Sequence, residues 1–342
     1  FKSYPTRESV KTGLVPDSKG YFGESSGPWH GASLSLMKRL LYANLFYGAI
    51  FHAFEGGLVW NDNSRGEDAL MPIGRLQYDA IRWFEKNGNP GVMQTPVAVV
   101  TPFGSGWSFA RHLYWFRPYM CWGKFPYGYD DFFIHGVLEM LYPNYQESGF
   151  FQDETGFSTP TPYGDIADCL LSDAPLWLLK RYPLVVLAGD FKYSREFSDT
   201  LVEYVKGGGH LVMTEGTARR VFRKDARHGV FRSQQVTLIP GKHGVEEKPV
   251  CEMPREAVWL NETKRHADKV LPNPYPLTEQ ARKILDKTFK AAALFTTGGD
   301  DGKDGLSLVS NRRGKGDYTL LVCNNTWQEK PLQINSKIGP IA

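Results

Sequence analysis

Two carboxylates stand where short apolar runs could aim them into one cleft. Glu24 ends the run Tyr21-Phe22-Gly23 and is followed by Ser25-Ser26-Gly27-Pro28-Trp29; Glu55 ends the run Ala49–Phe54 and precedes Gly56-Gly57. Glycoside hydrolysis uses two carboxyl groups flanking the sugar bond, one of which is the nucleophile in retaining enzymes. A tryptophan such as Trp29 adds a flat apolar face for sugar C–H groups. Each carboxylate also has a plainer reading. Glu24 could cap the helix that follows or face water, and Glu55 could anchor the Gly56-Gly57 turn. The residues alone leave both readings open.

A third signal is the stretch Trp107–Phe133, in which 12 of 27 residues are aromatic, Trp107, Trp115 and Trp122 among them. Arg111, His112, Arg117, Lys124, Asp130 and Asp131 are interleaved. Rings mixed with planar polar groups suit a saccharide, and the cations suit sulfate or carboxylate groups on it. The same composition also suits an interface between domains or subunits. The segment is longer than a connection requires, a property of functional loops.

Other chemistries find less in the sequence. Cys121, Cys169, Cys251 and Cys323 are far apart and form no CxxC or Cys/His cluster, so neither a zinc site nor a disulfide framework is expected. No metal or cofactor is expected. Gly207-Gly208-Gly209 precedes a strand and lacks the GxxxxGK[ST] pattern of a phosphate loop; it reads as a helix stop. An amidotransferase needs a nucleophilic cysteine on a sharp strand-to-helix turn, and the turn Thr214-Glu215-Gly216-Thr217 has none.

The elements that must position these residues can be read from periodicity. A short strand ends at Glu24. Ser33 then caps a helix to about Tyr47, with Leu36, Leu40, Leu41 and Leu45 on one face, and the apolar strand 49–54 leads to Glu55. A helix over Ile73–Lys86 places Leu76, Ile81 and Phe84 inward, and Asn87-Gly88-Asn89-Pro90 stops it. These are two consecutive β/α units, where a closed barrel needs eight. Downstream, Val97–Val100, Leu184–Leu187 and His210–Thr214 read as buried strands. Helices over 132–142 and 194–205 give the rhythm of a doubly wound parallel sheet. A helix over 278–289 follows, then strands over 305–310 and 317–323 around a Gly-Lys-Gly turn, with a third near 332–334.

The order Glu, Gly-Pro turn, Trp, amphipathic helix, Gly-Ala, apolar strand, polar loop, final helix resembles the end of the barrel in family 42 β-galactosidases. These are retaining enzymes of the (β/α)8 clan. Glu24 matches the glutamate after the seventh strand, which is the nucleophile of that family, and Trp29 matches its tryptophan; Ser25 stands where the family has glutamine. The resemblance places Glu55 at the end of the eighth strand, facing the same cleft. It implies an acid/base glutamate after a fourth strand, which is not among these residues. It also implies an amidotransferase-like α/β domain that mediates oligomerisation, then a small β domain.

The expected architecture is therefore α/β. The last β/α units of a (β/α)8 barrel occupy 1–90, a doubly wound amidotransferase-like domain 91–240, and a linker helix with the start of a β-sandwich 241–342. The expected function is part of a retaining glycoside hydrolase acting on β-linked galactose-type oligo- or polysaccharide, sulfated galactan included. The competing function is a non-catalytic carbohydrate-binding or assembly protein of the same fold. Catalysis falls to Glu24, and substrate contacts to Trp29, Glu55, Trp107, Trp115 and Trp122. The remaining barrel is expected in the same or a companion polypeptide, and a homo-oligomer is expected.

With 342 residues, a net charge of +3 and 42% apolar residues, the chain offers no charge argument for nucleic acid or membrane binding. The apolar stretch 34–54 is broken by Lys38, Arg39 and His52 and reads as helix plus strand, not a membrane span. The chain opens at Phe1, so the native start and any signal peptide are expected to lie outside it. A polysaccharide substrate would favour a secreted or periplasmic location.

Overall fold

The computed structural model describes residues 34–48, 72–104, 128–143, 161, 163–223, 233–251, 273–298, 306–324 and 329–339. The chain divides into two compact units, one from 95–146 and 166–294, the other from 1–94, 147–165 and 295–342. In chain order the described elements begin with α1 (Leu34–Phe46), α2 (Pro72–Asn87), β1 (Val92–Met93), β2 (Val97–Thr101) and α3 (Tyr129–Leu141). Next come β3 (Ala167–Leu171), α4 (Leu176–Leu179), β4 (Leu184–Leu187), α5 (Arg195–Lys206), β5 (His210–Thr214) and α6 (Glu215–Phe222). The last are β6 (Val236–Ile239), α7 (Glu279–Ala292), β7 (Phe295–Thr297), β8 (Leu306–Gly314), β9 (Asp317–Asn324) and β10 (Ile334–Ser336).

The first unit is built on a five-stranded sheet in the order β3-β2-β4-β5-β6, parallel throughout. Its core strands, Val97-Ala98-Val99-Val100 and Leu184-Val185-Val186-Leu187, are buried along their whole apolar runs. That is the pattern of parallel strands covered on both faces. The three strands expected from sequence are adjacent and parallel. The two outer strands, Ala167-Asp168-Cys169-Leu170-Leu171 and Val236-Thr237-Leu238-Ile239, are only partly buried.

The helices of this unit are fixed at their ends by side chains. Ser194 Oγ accepts from Phe197 N at the start of α5, Thr214 from Thr217 N at α6, and Thr278 from Ala281 N at α7. Such caps satisfy one of the orphan amides of the first turn. On α5, Phe197, Leu201, Val202 and Val205 are buried at the spacing of one helical face, each stabilising by about 1.5–3 kcal/mol. Gly207 then caps the helix, and the buried Tyr204 hydroxyl donates to Tyr182 O at 2.8 Å and lies 3.2 Å from His210 O. The helix end is thereby tied to the strand that follows.

In the second unit β1, β8 and β9 form an antiparallel sheet, and β7 pairs with β10. The β8–β9 hairpin turns at Gly316, whose φ of +76° suits glycine. The strand expected near 332–334 is observed at 334–336, paired to β7 and not to the hairpin. Buried Asn311 of β8 donates to Phe46 O at 2.7 Å and to Gly91 O at 3.2 Å, satisfying carbonyls at the end of α1 and before β1.

Helix α2 corrects one expectation. Ile81 is 52% and Phe84 40% exposed; the face turned inward carries Ala80 and Trp83. Ala80 is buried, and the Trp83 ring lies 5.8 Å from Tyr42 and 6.1 Å from Phe46. Leu76, Ala80 and Trp83 follow the 3.6-residue period, whereas Leu76, Ile81 and Phe84 drift off it.

Asp165 gives this unit a pH dependence. The Tyr47 hydroxyl donates to its Oδ2 at 2.6 Å. Burial pushes the carboxyl from 3.8 up to about 6, a rise the Tyr47 hydrogen bond only partly offsets. A folded pKa above the unfolded one favours the protonated state. The stabilisation is complete below 3.8 and is lost as pH rises through about 6. Asp165→Asn mimics the protonated carboxyl. It is expected to raise stability at pH 8 by on the order of 2 kcal/mol and to flatten the acid-side slope. Urea unfolding from pH 4 to pH 8 checks this; a variant whose profile parallels the parent would refute it.

Candidate functional site at the carboxyl edge of the parallel sheet

Strand order determines where a ligand can enter the first unit. The chain starts in β2, steps to β3 on one side, then crosses to β4 on the other. At such a reversal the loops leaving the carboxyl ends of β2 and β4 diverge and leave a crevice. Gly189, just after β4, makes the close approach there possible: its φ is +129°, and a Cβ would sit 2.5 Å from Pro102 Cδ.

Beside the crevice lies an ionic network. Asp130 and Asp131 occupy the first turn of α3, where the helix dipole favours negative charge. Arg220 of α6 donates from Nη2 to Asp130 Oδ1 at 2.8 Å, and its Nε lies 3.6 Å from Asp190 Oδ1. The same guanidinium reaches Thr217 Oγ1 at 3.2 Å and Gly189 O at 3.5 Å. His243 Nδ1 lies 3.5 Å from Asp130 Oδ1, and its ring sits 4.9 Å from that of Tyr129. Tyr129 in turn donates to Glu247 O at 3.0 Å. The network ties together α3, the loop after β4, α6 and the loop after β6. Asp131 accepts from Gly128 N at 2.8 Å. Desolvation raises its pKa, the Gly128 bond counters this, and the charges of Asp130 and Asp190 add to the rise.

This arrangement pairs a carboxylate with a histidine, and among the described residues no nucleophile is aimed at them. The strand-to-helix turn after β5 is a capped helix start. Thr214 is fully buried. Its Oγ1 accepts from Thr217 N at 3.0 Å and lies 3.1 Å from Lys242 O and 3.0 Å from Thr217 Oγ1. A Cβ on Gly216 would fall inside the van der Waals shell of the Lys242 carbonyl, so the turn is closed by backbone. Cys169 lies on β3 and Cys323 on β9. Burial raises both thiol pKa values, and the charge of Asp168 adds to the rise at Cys169, the reverse of what activates a nucleophilic cysteine. Cys169, Cys251 and Cys323 are free. Among the described residues no group of three or more His, Cys, Asp or Glu could hold a metal ion. No described helix is long and apolar enough to cross a membrane.

Glu24, Trp29, Glu55, Trp107, Trp115 and Trp122 lie outside the described residues, as do the strands expected to carry the two glutamates. Asp130 and Asp131, noted in the aromatic stretch, are inside them and head α3. Arg220 and His243 carry no local motif. Their partnership with Asp130 spans 90 residues or more of chain and follows only from the strand order.

The first unit is thus a doubly wound α/β domain with a closed, nucleophile-free turn at the end of β5. No protein-family model matches the chain, and no curated protein matches its sequence.

Proposed function

We propose that the chain is part of a retaining glycoside hydrolase acting on β-linked galactose-type oligo- or polysaccharide, sulfated galactan included. The observation that carries this reading is the doubly wound domain downstream of Glu24 and Glu55, whose β5–α6 turn is closed by Thr214 and Gly216. A domain of this class with no nucleophile at that turn fits the α/β domain that follows the barrel in the family resembled. Chemistry then falls to the upstream carboxylates. Glu24 is the nucleophile, Trp29 and Glu55 contact the sugar, and the acid/base carboxyl comes from a barrel segment outside these residues. The aromatic stretch with Trp107, Trp115 and Trp122 lines the sugar cleft of its own or a neighbouring subunit in a homo-oligomer. The finer architecture belongs to the same proposal: the end of a (β/α)8 barrel, an amidotransferase-like domain and a small β domain.

Retaining chemistry places the two carboxyl groups about 5–5.5 Å apart, against about 6.5–9.5 Å for inversion. The polypeptide carrying the full barrel is therefore expected to release the β-anomer first from an aryl β-galactoside, followed by proton NMR during early turnover. First release of the α-anomer would refute the retaining mechanism. Saccharide binding without turnover would favour the non-catalytic reading.

A further inference from the structure

The crevice at the carboxyl ends of β2, β3 and β4 is a cleft of about 670 Å³, within the size range of small-molecule sites. Its wall is held in place: the Phe103 amide donates to Ser172 Oγ at 3.0 Å, tying the loop after β2 to the loop after β3. Its lining includes Phe191 and Phe197, buried and stacked with ring centroids 5.5 Å apart. Phe103 lines the cleft with 66% of its surface exposed, an apolar face that the described residues leave open.

The polar lining decides the ligand class. The carboxylates Asp173, Asp190 and Glu196, the ammonium of Lys192 and the hydroxyl residues Ser194 and Thr200 all line the cleft. Arg220 lies against Asp190, and among the remaining lining charges two carboxylates, Asp173 and Glu196, outnumber the single ammonium of Lys192. The start of α5 would by itself attract an anion, but Glu196 occupies that first turn and Ser194 caps it. An anionic ligand is therefore disfavoured. Carboxylates and hydroxyls accept from ligand O–H groups, and an exposed ring packs against C–H faces.

The geometry points to a binding site for a neutral saccharide in this cleft, built from residues other than Glu24. It goes beyond the hydrolase proposal and does not need Glu24 to be catalytic.

Hydrogen–deuterium exchange of the full chain, with galactose or β-galactobiose at millimolar concentration, tests it. Protection is expected in peptides covering 172–175 and 190–200. Phe103→Ala, at an exposed position, is expected to weaken that protection about tenfold in the midpoint of a galactose titration. Glu24→Gln is expected to leave it unchanged. Galacturonate and inorganic phosphate are expected to protect these peptides less than galactose. The inference is overturned if these peptides gain no protection, if galacturonate or phosphate protects them as well as galactose, or if Phe103→Ala leaves the midpoint unmoved. It is overturned equally if Glu24→Gln abolishes the protection. If hydrolysis is never detected but the protection appears, the cleft assignment stands and the hydrolase proposal falls; the converse separates them the other way.

Discussion

Glu24→Gln is expected to lower kcat by roughly 10³–10⁶-fold in the polypeptide that carries the full barrel, the range seen when a nucleophile is removed. Fold and sugar binding should survive. The amide is nearly isosteric with the carboxylate and keeps an acceptor for sugar hydroxyls. It loses the anionic oxygen that must attack the anomeric carbon and form the glycosyl-enzyme bond. Glu55→Gln should act mainly on KM, because a carboxylate that contacts sugar hydroxyls binds substrate and transition state alike. Steady-state kinetics on aryl β-galactosides, with circular dichroism to verify folding, separates the two. Near-normal kcat in Glu24→Gln, or collapse of kcat in Glu55→Gln alone, would reverse the roles assigned here.

Gly189→Ala is expected to destabilise the α/β unit by about 2–6 kcal/mol, through two costs at one residue. A φ of +129° is strained for any side chain, on the order of 1–3 kcal/mol. The new Cβ would also meet Pro102 Cδ at 2.5 Å and Ile134 Cδ1 at 3.2 Å, and relieving such crowding in a packed region costs about 1–3 kcal/mol more. Pro102 is a ring joined directly to β2 and cannot swing aside as a long side chain would. Gly208→Ala isolates the first cost, since Gly208 has a φ of +91° but nothing within 4 Å of its Cβ position. Urea unfolding should show Gly208→Ala losing about 1–3 kcal/mol and Gly189→Ala about twice that. Equal losses would mean that the close approach of the β2 and β4 ends is not rigid.

The interior of the parallel sheet was legible in the sequence because its strands are buried on both faces. Val97–Val100 and Leu184–Leu187 are unbroken apolar runs, and few other structures produce them between glycine-bearing turns. The edge strands were not legible. Asp168 in β3 binds the Thr95 and Tyr182 hydroxyls at 2.6 and 2.8 Å, and Thr237 in β6 pairs with His210 Nε2 at 2.8 Å. An edge can hold such polar residues, and they erase the pattern that marks a strand. The starts of α5 and α7 fall where the sequence puts them, at the capping residues Ser194 and Thr278, whereas α3 begins at Tyr129, three residues before the expected start, behind Gly128, which has no side chain to mark a cap. The buried face of α2 was misread because Ile81 and Phe84 are more hydrophobic than Ala80, while the packing of Trp83 against Tyr42 and Phe46 sets the face. At the carboxyl edge, Asp130 was visible as an acidic residue in an aromatic stretch. Its partners Arg220 and His243 were not, because nothing local distinguishes them.

The most direct measurement of the central claim is covalent. A fluorinated galactosyl inhibitor that traps the glycosyl-enzyme intermediate should be incubated with the active polypeptide, which is then digested and sequenced by mass spectrometry. A galactosyl adduct on Glu24, absent from Glu24→Gln, is the predicted result; an adduct on Glu55, or enzyme that turns over substrate yet takes no label, would contradict it.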